Sequence, residues 1–140
     1  MNWPVSGPWW GASSMGRRLY YQRLWQAGGW LLMMAVVVLS LMPTPPVVSV
    51  LIWDKLQHLA GYTVLMFWFR QAFGPQRRWV VLLVGLGVVL EVLQGLSGYR
   101  YFEWVDMLAN VLGVSCGLLL AATPAGRLMA TLDRWLARQL

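Results

Sequence analysis

Four long apolar stretches, set apart by short basic or polar flanks, constrain this chain more than any other feature. They run over about 24–42, 52–69, 79–96 and 104–122. At ~1.5 Å rise per residue each is a helix of roughly 27–29 Å, the thickness of a bilayer's hydrocarbon core. Only 11% of the residues are charged, and mean hydropathy is +0.56. A soluble domain has about a quarter of its residues charged, so most of this surface is expected to meet lipid.

The expected fold class is therefore all-α: a four-transmembrane-helix bundle over 24–122. A tail at 1–23 precedes it and a basic amphipathic tail at 123–140 follows. Pro43, Pro45 and Pro46 stop the first span, Gly74 and Pro75 the second, and Pro124 the fourth. The first span is long for a signal peptide and no A-x-A site follows it, so it is read as a retained helix. In the C-terminal tail, Arg127, Thr131, Arg134 and Arg138 share one helical face. Leu128, Leu132, Trp135, Leu136 and Leu140 make another. That pattern suits a helix lying on an anionic leaflet, or one packed on another subunit.

Orientation follows from the basic residues. Arg17, Arg18, Arg23, Arg70, Arg77, Arg78, Arg127, Arg134 and Arg138 occupy one set of alternate flanks; only Lys55 and Arg100 occupy the other. The positive-inside rule puts both termini in the cytoplasm. Trp25, Trp68 and Trp79 then fall near the inner boundary, and Trp53 and Trp104 near the outer one, where aromatic residues concentrate. The net charge of +6 is accounted for by these flanks, so nucleic-acid binding is not expected. The single cysteine, Cys116, excludes a disulfide framework and is read as a packing residue.

This topology gathers the polar residues of the spans at one level. Asp54, His58 and Tyr62 share a face of the second helix, Glu91 and Gln94 a face of the third, and Asp106, Asn110, Gly113 and Gly117 a face of the fourth. All lie within a few turns of the outer surface, and Lys55 and Arg100 can add positive charge there. An ionisable group inside the membrane costs at least ~2.5 kcal/mol on insertion scales, so Glu91 is expected to face a partner. Singly, these residues have simpler explanations: solvated helix ends, interhelical hydrogen bonds, and a Gly-x-x-x-Gly packing motif at Gly113 and Gly117. Together they are expected to converge on one polar site opening outward.

Two blocks resemble the VanZ-like family of small bacterial membrane proteins: Asp54-Lys55-x-x-His58-x-x-x-Tyr62, and Glu91-x-x-Gln94 followed by Arg100, Asp106, Asn110 and Gly113. They span roughly a quarter to a third of the chain. The resemblance implies a compact multi-pass protein of the bacterial cytoplasmic membrane. It also implies a role in the cell envelope, with a possible relation to tolerance of teicoplanin, a lipoglycopeptide that acts outside that membrane.

The leading expectation is a binding protein. Asp54, Lys55, His58, Tyr62, Glu91, Gln94, Arg100, Asp106 and Asn110 would form a ligand site for a lipid headgroup or lipid-linked precursor, with Lys55 and Arg100 on phosphate. One alternative is an intramembrane enzyme with His58 as base or nucleophile beside Glu91 or Asp106. Another is a proton-coupled transporter subunit, which needs a homo-oligomer or membrane partner. No cofactor is expected, and one histidine without ordered ligand spacing argues against a metal.

Overall fold

The computed structural model describes residues 19–43, 50–98 and 102–139, the side chains of 50–52 excepted. All secondary structure among them is helical: α1 (Gln22–Leu41), α2 (Val50–Phe73), α3 (Arg77–Leu96), α4 (Trp104–Ala122), a 3-10 turn (Pro124–Arg127) and α5 (Leu128–Gln139). The four expected apolar segments are all helices, each within a few residues of its expected limits. Arg17, Arg18, Arg100 and Leu140 lie outside the described residues.

Among the described residues three helices, not four, are long and apolar enough to cross a membrane: α1, α3 and α4. The expected second span departs from this composition. Asp54, Lys55, Gln57, His58, Arg70 and Gln71 dilute the hydropathy of α2. The packing supplies the reason. Helix α2 is the centre of the bundle: Tyr62, Leu65, Met66 and Phe69 are fully buried along it, against Leu83 of α3 and Val114 of α4. A helix packed against three neighbours can hold an inward polar group such as His58, while Gln57 on its outer side stays exposed.

The closest pair is α2 with α4, and small residues make it so. A Cβ placed on Gly113 would stand 2.6 Å from the Leu59 carbonyl oxygen, and one on Gly117 2.6 Å from that of Thr63. The Gly-x-x-x-Gly spacing thus lets backbone meet backbone, as packing motifs of this kind do. The outer surface is strongly apolar. Leu31, Leu39, Val81, Val89, Leu112 and Leu119 are among many large apolar side chains left exposed, while His58, Glu91, Asp106 and Asn110 are buried. This inverted distribution is that of a protein whose solvent is lipid. Cys116 is not a packing residue; it lies exposed on α4.

The two ends of the bundle differ. At one end Trp30, Phe69, Phe73 and Trp79 form an aromatic cluster with centroids 4.6–6.0 Å apart. The Arg78 guanidinium lies 4.5 Å over the Trp79 ring. Helix α5 folds back over this end. Its Asp133, 1% exposed, accepts the backbone N–H groups of Tyr20 (2.6 Å) and Tyr21 (3.0 Å) and the indole N–H of Trp25 (2.8 Å). Tyr21, at the start of α1, makes no side-chain cap of its own, so Asp133 satisfies donors that every helix start leaves open. Burial opposes ionisation of this carboxyl. The N–H groups of Tyr21, Trp25 and Tyr20 and the charge of Arg134 outweigh it, holding the pKa below the usual carboxylate value. The opposite end carries the polar groups.

Candidate functional site

The site is built where α2 and α4 begin and α3 ends. Asp54 and His58 occupy the second and third turns of α2, and Asp106 and Asn110 the first two turns of α4. Both pairs lie within ~15 Å of the same end of the bundle, at 1.5 Å per residue. The close α2–α4 approach brings the pairs together.

His58 Nδ1 lies 3.0 Å from Asn110 Oδ1, both side chains buried. An amide oxygen only accepts, so Nδ1 carries the proton and donates it. In the neutral ring Nε2 then holds the lone pair. Asp54, His58 and Asp106 each present one ligand atom within 4.8 Å of the other two. Gly87 of α3 makes room for Asn110: a Cβ there would stand 2.9 Å from the amide nitrogen.

Lys55 Nζ is 2.5 Å from Glu103 Oε2 and 3.3 Å from Asp106 Oδ1. The first contact is a hydrogen-bonded ion pair. The second is longer and is an ionic contact only, because Asp106 Oδ1 is buried without an aligned hydrogen bond. Lys55 is therefore turned toward carboxylates rather than held ready for a phosphate. Glu103 was not among the expected site residues; a loop glutamate carries no periodic signal to mark it.

Glu91 is 1% exposed and does not face lipid. Its Oε1 accepts the backbone N–H of Glu103 at 2.6 Å, which fixes the start of α4 against α3. Tyr62, one turn deeper than His58, is buried within Coulombic range of Glu91; its hydroxyl makes no hydrogen bond among the described residues. Gln94, also buried, donates to the Ser40 carbonyl at 2.6 Å and ties α3 to the end of α1. Of the expected residues, Asp54, Lys55, His58, Asp106 and Asn110 form one cluster. Glu91 braces it through Glu103, Gln94 serves the helix packing, and Arg100 lies outside the described residues.

The Lys55 ammonium meets two carboxylates, Glu103 and Asp106, and Asp54 and Glu91 add two more acidic side chains at the same end of the bundle. The described part of the site is acidic, and what it can hold directly is a cation or a hydrogen-bond donor. Trp53 and Trp104 stand exposed at its rim. No family model, no curated protein and no solved structure matches this chain.

Proposed function

We propose that this chain is a four-span protein of the bacterial cytoplasmic membrane, VanZ-like in its site, and that its polar end binds the headgroup of a membrane lipid or lipid-linked envelope precursor. The observation that carries this reading is the convergence of half-buried Asp54 with buried His58, Asp106 and Asn110 at one end of a bundle whose exterior is apolar. Helix α2 completes the four spans. Its 24 residues reach ~36 Å at 1.5 Å each, and His58, in its third turn, is buried inside the bundle. Exposed Trp53 and Trp104 beside the site support headgroup depth for it. The basic residues of the opposite end support a cytoplasmic side for that end and for both termini. On α5, exposed Leu128, Leu132 and Trp135 adjoin exposed Arg127, Arg134 and Arg138, which suits the inner interface. An outward site is also on the side where a lipoglycopeptide such as teicoplanin acts.

Native mass spectrometry of the protein released with its own lipids tests this. A lipid retained by the wild type and lost by His58→Ala is the expected result; identical lipid profiles would refute it.

A second reading, an intramembrane enzyme acting on a lipid phosphate, is favoured by His58 itself. With Nδ1 bonded to Asn110, Nε2 holds the lone pair, and two carboxylates lie close to the ring, the arrangement of a general base. Turnover of a lipid phosphate that disappears in His58→Ala would establish it.

A further inference from the structure

Along the linear sequence, one histidine and irregular spacing argue against a metal. Packing removes that objection, because the donors come from two helices. We propose that Asp54, His58 and Asp106 bind a divalent transition-metal cation of the Mn2+ or Zn2+ class. One imidazole nitrogen and two carboxylate oxygens suit such borderline ions. Metal–ligand bonds of ~2.0–2.2 Å allow two donors on one ion to stand up to ~4.2 Å apart. The three ligand atoms already lie within 4.8 Å of one another, so small side-chain rotations close the set.

Two further observations point to an ion. His58 donates Nδ1–H to Asn110 Oδ1 and leaves Nε2 as the coordinating atom, the outer-shell arrangement that orients metal-binding histidines. Asp106 is 3% exposed, and its Oδ1 has no aligned hydrogen bond, so a buried carboxylate oxygen stands in the cluster with capacity to spare. Lys55 does not close the site. Its shorter contact is to Glu103, and that bond can persist while Asp106 takes the ion. Three protein donors leave coordination positions open for water or for an oxygen of an anionic ligand. The ion would thereby give an acidic site affinity for phosphate. Ion binding itself does not depend on the headgroup reading, and it is measured without added lipid.

The test uses the untagged full chain in detergent, stripped by chelator and titrated with Mn2+. His58 is the chain's sole histidine, so imidazole-nitrogen modulation in pulsed EPR of the bound Mn2+ reports this residue alone. The expected result is one Mn2+ per chain carrying that modulation, displaced by Zn2+. Asp54→Asn and Asp106→Asn should bind about tenfold more weakly or worse. Lys55→Met, which removes the competing ammonium, should bind more tightly. Circular dichroism verifies that each variant is helical. Absence of binding at millimolar Mn2+ would overturn the proposal. So would bound Mn2+ without nitrogen modulation in the wild type, a reading that needs no variant to fold.

Discussion

His58 and Asn110, 52 residues apart in sequence, share a buried hydrogen bond of 3.0 Å between Nδ1 and Oδ1. It joins the two most closely packed helices at the level of the site, and it puts the ring's proton on Nδ1 and its lone pair on Nε2. Asn110→Leu should remove the acceptor and leave the ring's N–H buried and unsatisfied, costing ~1–3 kcal/mol. The unfolding midpoint in detergent should fall accordingly. Mn2+ affinity should fall ~10–100-fold even where the fold is retained. An Asn110→Leu protein as stable as the wild type would mean that the bond does not organise the site.

Backbone contact between α2 and α4 makes a second expectation sharp. Gly113→Val places carbon against the Leu59 carbonyl and Tyr62 and should destabilise the bundle by ~1–3 kcal/mol, as overpacking does. Gly85 on α3 faces open space, with nothing within 4 Å of an added Cβ. Gly85→Ala should be neutral or stabilising by up to ~1 kcal/mol from helix propensity. Thermal unfolding of the two variants side by side checks both signs.

Sequence made much of this architecture legible, and the reasons are physical. Long apolar runs ending at Gly or Pro place helices reliably. Spacings of three and four put Asp54 with His58 and Asp106 with Asn110 on common faces, and the structure pairs those faces. Depth made the inward turn of Glu91 legible as well. Tertiary relationships were not legible. Glu103 pairs with Lys55 only because two helix starts meet, and Gly87 matters only because Asn110 lies opposite. Helix α5 was read as having two faces. It has a third, inward one, where Met129 and Asp133 are buried. Likewise α2 has the length of a span but not the apolar composition, because Asp54, Lys55, Gln57, His58, Arg70 and Gln71 lie along it.

Asp133 carries a pH dependence with a definite sign. Its folded-state pKa lies below the unfolded value of about 3.9. Its contribution to stability is therefore complete above that unfolded value and is lost as pH falls through the lower folded pKa. Wild-type protein should lose thermal stability on acidification below about pH 4. Asp133→Asn should begin less stable at neutral pH and lose less over the same range. Parallel pH profiles for the two proteins would contradict this account of the α1–α5 contact.

Helix α2 should cross the bilayer despite its composition. In a Cys116→Ala background, Trp53→Cys marks its polar end and Gln76→Cys lies just beyond its other end. An impermeant maleimide should label Trp53→Cys in intact cells and Gln76→Cys only after permeabilisation. Labelling of both from one side would remove the fourth span, and the reverse pattern would invert the topology.

The central claim, a headgroup at the polar end of the bundle, is tested most directly by photo-crosslinking in nanodiscs. The probe is phosphatidylethanolamine with a diazirine in its headgroup, and adducts are mapped by peptide mass spectrometry. Adducts should concentrate on the first turns of α2 and α4, around Asp54, Glu103 and Asp106, and should be lost in a His58→Ala/Asp106→Asn protein. Adducts spread evenly over both ends of the helices, and unchanged in that variant, would contradict the claim.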